Sequence, residues 1–181
     1  SVGWIASDEN FMQDINWLSL LKLRASYGLT GNAEFLASST DPRFATGANF
    51  PALGLYGGDM DGSDYGGNPG LAPTQLANPD LKWEQTSQTD IGINLGLFKN
   101  RIDLEVDYYY KKTKDLLLDV QIPASGGYTS IAKNLGELEN KGWEIALNTR
   151  NLVGKFKWNT SFNVSFNKNK ITDLNEEIIE N

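Results

Sequence analysis

The sequence predicts an all-β protein that folds as an antiparallel up-and-down meander. Apolar and polar residues alternate with period two in five segments, as in strands that bury only one face. Two of the connections between these segments are short and two are long. The chain has 181 residues, of which 40% are apolar and 22% charged, so its composition is that of a folded protein.

The five predicted strands each follow from their own alternation. In the first, for example, Leu23 and Ala25 flank Arg24, and in the last, Phe162 and Val164 flank Asn163. Such flanking places apolar side chains on one face and polar side chains on the other. The predicted strands lie at about residues 16–29, 83–98, 101–117, 141–150 and 155–167.

The second and third strands are predicted to form a hairpin, "GINLGLFKNRIDLEVDYYYKK" at residues 92–112. A two-residue loop at Lys99 and Asn100 pairs Leu97 with Ile102. Continued along both strands, this register places every apolar residue opposite an apolar partner, as one shared apolar face requires.

The lengths of the connections favour a membrane β-barrel. The loops predicted at about residues 30–82 and 118–140 are long, and a loop of fifty residues is uncommon in a compact domain. Outer-membrane barrels have long outer loops, short periplasmic turns and strands that are apolar on the lipid side. A cation facing lipid at mid-membrane costs ~2–4 kcal/mol, and the apolar face of the hairpin carries none between Ile91 and Tyr110. A soluble β-sandwich, which also buries one face, remains the alternative.

Composition excludes several classes of function. The net charge of −7 argues against a nucleic-acid partner, which requires clustered Lys and Arg. The chain has neither histidine nor cysteine, so histidine-dependent catalysis and thiolate metal sites are excluded. No run of eighteen apolar residues predicts a transmembrane helix.

Four long phrases carry a family resemblance. They are "LKLRASYGLTGN" at residues 21–32, "NPDLKWEQTSQTDIGINLGLFKNRI" at 78–102, "DYYYKKTKDLLL" at 107–118 and "LGELENKGWEIALN" at 135–148. In order and wording they closely resemble the C-terminal barrel region of SusC/RagA-type TonB-linked outer-membrane receptors. The resemblance covers nearly the whole chain except the glycine-rich part of the first long loop.

The resemblance implies a place and a role for the chain. Members of the family are large outer-membrane barrels of Bacteroidetes, with about 22 strands and an N-terminal plug. A SusD-like surface lipoprotein sits on each as a lid and captures glycan or peptide, and TonB pulls on the plug to admit the cargo. Residues 1–181 are therefore expected to be part of such a barrel domain, with the plug absent, and not an enzyme.

A charged row on the third strand is the first candidate site. Its members face away from the apolar side, and in the receptor they would face the lumen or the plug. Salt bridges from this row are expected to hold the plug or to shape the lumen, and the plain alternative is a hydrated wall. The row consists of Arg101, Asp103, Glu105, Asp107 and Lys111.

The long loops carry two further sets of candidates. Tyr56, Tyr65 and Tyr128 are candidate contacts for cargo or lid, because sugars stack on exposed aromatic rings; packing within the loops is the alternative. Three carboxylates in "DMDGSD" are weak candidates for Ca²⁺, the only cofactor considered, and a solvated acidic turn is the alternative. They are Asp59, Asp61 and Asp64.

Two other functions compete with the transporter. A soluble or surface-exposed β-sheet module that binds carbohydrate explains the same alternation, and detergent dependence distinguishes it from a barrel wall. An outer-membrane hydrolase lacks the histidine that usually activates a serine. Glu139 and Glu144 fall on opposite faces of the fourth strand, so they are not expected to act as an acid–base pair.

Overall fold

A computed structural model describes residues 1–33, 50, 52–58 and 70–174 of the protein. Short 3-10 helices occupy Ala6–Asp8, Asn10–Met12 and Ala124–Gly126. Within the described ranges, no helix is long and apolar enough to cross a membrane. The strands of the described part, in chain order, are β1 Val2–Ile5, β2 Leu18–Asn32, β3 Leu55–Gly58, β4 Leu71–Gln75, β5 Glu84–Leu97, β6 Ile102–Lys114, β7 Leu117–Gln121, β8 Ser130–Asn134, β9 Glu137–Val153 and β10 Lys157–Asp173.

Six of these strands form one sheet in the order β1-β2-β5-β6-β9-β10. β1 pairs antiparallel with β2 and places Trp4 opposite Leu23. Each strand of the sheet lies beside the one that follows it along the chain, apart from β3, β4, β7 and β8, which form separate hairpins. The sheet is therefore the predicted antiparallel up-and-down meander.

Three strands extend beyond their predicted segments. β2 ends at Asn32 instead of residue 29, β9 spans Glu137–Val153 instead of 141–150, and β10 reaches Asp173 instead of residue 167. Alternation of apolar and polar residues fades at these ends, yet backbone pairing continues because it needs no apolar side chain. By contrast, β6, which is the third predicted strand, ends at Lys114 instead of residue 117. Asp115 adopts a left-handed φ of 56° and therefore leaves the ladder of backbone hydrogen bonds.

The two long connections contain hairpins that the sequence did not predict. β3 pairs antiparallel with β4, and β7 with β8, where Leu117 lies opposite Asn134. Short strands of four or five residues give too few positions for alternation to be recognised.

The turn between β5 and β6 is longer than predicted. β5 ends at Leu97 and β6 begins at Ile102, so the connection has four residues instead of two. Phe98, Lys99 and Asn100 have φ of 52°, 58° and 57°, and Arg101 donates its N–H to the carbonyl oxygen of Leu97 over 2.9 Å. Three successive left-handed residues cannot continue a strand, which ends the ladder one residue early on each side.

The predicted pairing beyond this turn agrees with a contact further along the hairpin. The register that sets Leu97 against Ile102 also sets Ser87 against Lys112. In the structure the Ser87 hydroxyl donates to the carbonyl oxygen of Lys112 over 3.3 Å.

Almost no apolar side chain is buried. Of the hydrophobic residues described, only Ala6 and Leu135 fall in the buried class. Ile93 remains 43% exposed and Phe162 57% exposed, and Leu104 is half-buried. A sandwich would have sealed these three side chains under a second layer. Within the described residues, the apolar side of the sheet therefore has no covering layer of its own chain.

The chain divides into two compact units. One comprises Ser1–Thr30, Thr86–Lys112 and Leu138–Ile171, and contains most of the sheet. The other comprises the segments Gly31–Gln85, Thr113–Glu137 and Thr172–Asn181, and contains the β3–β4 and β7–β8 hairpins.

Candidate functional site

An arginine and two carboxylates meet on the charged side of the sheet. Arg24 of β2 donates from Nη2 to Asp107 Oδ2 over 2.7 Å, and it also forms an ion pair with Glu105. Both carboxylates belong to β6, whereas β5 lies between β2 and β6. With neighbouring strands ~4.8 Å apart, the arginine must cross one whole strand to reach its partners. We call Arg24, Glu105 and Asp107 the ion-pair cluster.

Gly92 of β5 makes that crossing possible. It is a buried residue in the middle of its strand. A Cβ at this position would lie 2.6 Å from Arg24 Nε and would overlap Asp107 Oδ1. Because Gly92 has no side chain, the guanidinium can pass directly over the backbone of β5. Glycine commonly occurs where another group must approach the backbone closely.

The cluster borders an acidic groove of about 500 Å³. Glu105 and Asp107 line it from β6, Glu144 from β9, and Asn163 and Ser165 from β10. With the guanidinium of the cluster, the three carboxylates leave a formal net charge of −2. The groove therefore favours a basic or hydrogen-bond-donating partner.

One buried nitrogen of Arg24 has no partner in the described structure. Its Nε atom is buried and has no hydrogen-bond partner there. An unpaired buried donor is costly, so this atom reduces the net stabilisation that the ion-pair cluster provides.

Polar contacts continue along the same side towards the other ends of the strands. Ser26 donates to Asp90 Oδ2 over 3.1 Å, and Gln88 donates to both oxygens of Asp90 over 2.9 and 3.0 Å. On β6, Lys111 Nζ lies 5.8 Å from the centroid of the Tyr109 ring, which is the geometry of a cation–π contact.

The predicted charged row is only partly brought together. Glu105 and Asp107 join the cluster, and Lys111 lies beyond it over Tyr109. Arg101 instead lies in the β5–β6 turn, where its carbonyl accepts the N–H of Arg150 over 2.8 Å. Asp103 makes no ion pair with any described residue.

Alternation alone does not single out Arg24, Gly92, Tyr109 or Glu144 for this site. Alternation put Arg24 on the polar face of its strand, but the sequence does not say which strands its side chain can reach. A glycine inside a strand was the available signal, since it often marks a close approach.

The second unit holds its hairpins by amide side chains. Asn134 accepts from the N–H of Lys82 over 2.7 Å and donates to the carbonyl oxygens of Lys82 and Asp115 over 2.7 and 2.9 Å. Asn78 donates to the carbonyl oxygen of Ala132 over 2.7 Å. These hydrogen bonds hold the segment "NPDLK" at residues 78–82 against β8. They explain why asparagine occupies positions 78 and 134.

The tyrosine candidates are placed unequally. Tyr56 of β3 is 70% exposed, and Tyr128 lies half-buried between β7 and β8. Tyr65 and the acidic candidates Asp59, Asp61 and Asp64 lie outside the described residues. In the part of the chain that is described, no three Asp or Glu side chains stand close enough to hold a metal ion.

Comparison with known proteins identifies relatives of the chain. A model of the family described as "TonB dependent receptor-like, beta-barrel" matches residues 4–178. TonB-dependent receptor P39 of Formosa agariphila is 41% identical over 177 residues, which are 97% of this chain and 16% of that protein. TonB-dependent receptor SusC of Bacteroides thetaiotaomicron is 35% identical over 179 residues, or 96% of this chain and 17% of that protein.

Solved structures show the same relationship. The RagAB peptide importer in its closed-closed state gives a TM-score of 0.78 at 32% identity, covering 95% of this chain and 17% of the matched chain. In the open-open state the TM-score is also 0.78, covering 97% and 18%. The chain thus spans about a sixth of the length of the relatives it matches.

Proposed function

The chain belongs to the TonB-dependent receptor β-barrel family, and from this premise we propose that it forms part of the wall of a SusC/RagA-type importer in the bacterial outer membrane. Its cargo is an oligosaccharide or a peptide, captured together with a SusD-like lipoprotein. The observation that carries the proposal is the uncovered apolar side of the sheet, typified by Ile93 and Phe162, opposite a side that holds ion pairs. Lipid covers the first side, and an aqueous lumen or a plug covers the second.

Two neighbouring residues of β10 test the membrane orientation. Phe162→Arg puts a cation into lipid at a cost of ~2–4 kcal/mol, whereas Asn163→Arg puts the same cation on the charged side. In the full-length receptor we expect the first variant to lose most of its heat-modifiable, folded form in outer-membrane fractions. The second should assemble like the wild type. Equal assembly of both variants would contradict the membrane-wall proposal.

The ion-pair cluster and the acidic groove are proposed to contact the plug. The groove carries net negative charge, so it can bind a cationic or hydrogen-bond-donating group of the plug. TonB acts on the whole receptor through that plug, so the contact would be broken or reshaped during each transport cycle.

Neutral isosteres on β6 test the plug contact. Glu105→Gln and Asp107→Asn remove charge and keep volume, so we expect TonB-dependent uptake to change while the amount of receptor in the membrane does not. Asp103→Asn, on the same strand but outside the cluster, is the matched comparison. Unchanged uptake in Glu105→Gln and Asp107→Asn would mean that the cluster is only part of a hydrated wall. An effect of Asp103→Asn alone would place the plug contact at the start of β6 instead of at the cluster.

The tyrosines remain the proposed contacts for cargo or lid. Tyr56 is a better candidate than Tyr128 because its ring is exposed. The β3–β4 hairpin that carries Tyr56 is also held in place by side-chain hydrogen bonds. Gln75 donates to the carbonyl oxygens of Phe50 and Leu53 over 2.8 and 2.7 Å. Tyr65, with Asp59, Asp61 and Asp64, stays a proposal from sequence, and we propose no cofactor beyond a weak Ca²⁺ site at those aspartates.

Cargo binding separates the two leading functions. Tyr56→Ala should weaken capture of cargo by the receptor with its lipoprotein, measured by calorimetry, and Tyr27→Ala, on the apolar side of β2, should not. Binding of carbohydrate by residues 1–181 alone in plain buffer would instead favour the carbohydrate-binding module.

A further inference from the structure

We infer that the Tyr108 end of β6, together with β9 and β10, forms a binding site for a phosphate-bearing glycolipid of the outer leaflet. Two lysines, Lys141 and Lys168, stand beside aromatic rings on the side of the sheet that faces lipid. The inference rests on the proposed membrane-wall orientation of the sheet and does not depend on which cargo the receptor transports.

The apolar part of the site is an open groove of about 320 Å³. Its walls are the rings of Tyr108, Trp143 and Phe166, with Lys141 and Lys168 at its border. The Tyr108 and Trp143 ring centroids lie 4.9 Å apart with the planes inclined by 50°. Trp143 and Phe166 nevertheless remain 51% and 59% exposed. Packed together yet uncovered, these rings offer an acyl chain a continuous surface for van der Waals contact.

The two ammonium groups have no ion-pair partner in the described part of the chain. Neither Lys141 nor Lys168 lies within ion-pair distance of a carboxylate among the described residues. Glu139, on the same side of β9, hydrogen-bonds to the hydroxyl of Tyr110. A lysine on a lipid-facing surface is strongly unfavourable in hydrocarbon, but its stem can lie along apolar surface while the ammonium reaches the head groups.

The position of the lysines along the strand places them at head-group level. Ten residues separate Trp143 from Val153, where β9 meets its short turn. At ~3.3 Å per residue and a tilt near ~40°, those residues rise about 25 Å, which is the height of the apolar band of a barrel. Short turns of outer-membrane barrels are periplasmic, so the lysines lie at the outer interface. Basic pockets beside membrane-spanning segments bind phosphate-bearing lipid head groups, so phosphate is the anionic group that we assign to this site.

Lipid binding to the full-length receptor in nanodiscs tests the inference. The probes are diphosphoryl lipid A and its dephosphorylated form, detected as retained adducts by native mass spectrometry. We expect preferential retention of the phosphorylated form by the wild type. The double variant Lys141→Gln/Lys168→Gln should lower that retention more than tenfold, since each lysine near a lipid surface contributes about fivefold.

Two further variants control for charge and for folding. Lys157→Gln removes a lysine at the opposite end of β10 and should bind like the wild type, and Lys141→Arg/Lys168→Arg should retain binding. Unchanged retention in the double Gln variant overturns the site. If that variant does not assemble, the comparison of the two lipids on the wild type is the test. Equal retention of the phosphorylated and dephosphorylated forms by the wild type would overturn the proposed site.

Discussion

At the scale of single residues, one missing side chain organises the charged side of the sheet. Arg24 reaches Asp107 across β5 because Gly92 leaves the backbone bare beneath the guanidinium. Glycine inside a strand weakens the strand by itself. Its presence here is explained by the ion pairs that pass over it, so the position is expected to resist substitution.

The substitution Gly92→Ala tests that explanation. The new Cβ meets both Arg24 and Asp107 at less than van der Waals distance, so we expect a loss of about 1–3 kcal/mol in unfolding free energy. The measurement is urea unfolding of the full-length receptor, followed by tryptophan fluorescence. Gly28→Ala on β2 is the matched control, because a Cβ there has no atom within 4 Å. A loss as large in Gly28→Ala would show that the effect is general to glycine in these strands.

At the scale of elements, amide side chains decide where the hairpins of the long connections lie. Asn134 forms three hydrogen bonds to the backbone of Lys82 and Asp115, and Glu84 Oε1 accepts the N–H of Leu117 over 2.9 Å. Few apolar contacts replace such bonds in short exposed hairpins. The local stability of β7 and β8 is therefore expected to depend on them.

Replacement of Asn134 by Ala measures this dependence. Loss of three hydrogen bonds should raise the rate of amide hydrogen exchange in β7 and β8 at least tenfold, from about 0.5–1.5 kcal/mol for each bond lost. Exchange in β5 and β6 should not change. Asn169→Ala, an exposed asparagine of β10, serves as the control. Protection of β7 and β8 that survives Asn134→Ala would mean that strand pairing alone holds the hairpin.

At the scale of the whole molecule, the described residues leave the apolar side of the sheet uncovered and its two edge strands, β1 and β10, each paired on one side only, which suits a wall inside a larger barrel. Large side chains along β10, among them Trp158, Phe162 and Phe166, are more than half exposed. Edges of a sheet in lipid leave backbone groups without partners, at a cost of several kcal/mol each. The chain spans about a sixth of the length of its relatives, and we propose that further strands of the receptor supply those partners.

Residues 1–181 by themselves are therefore expected to depend on detergent. In plain buffer the chain should elute as large aggregates in size-exclusion chromatography with light scattering, and detergent should reduce their mass. A monodisperse monomer with a cooperative thermal transition in plain buffer would contradict this expectation and support the soluble carbohydrate-binding module.

The sequence by itself determined the class of the fold, its meander order and the family. Those properties follow from period-two alternation and from long characteristic phrases, both of which are local along the chain. Only the tertiary structure decided which charged residues meet. Arg24 and Asp107 are 83 positions apart and lie on strands separated by a third, so no local pattern links them. The turn at Phe98 and the hairpins of the long loops likewise depend on left-handed residues and on amide bonds between distant segments, which alternation does not encode.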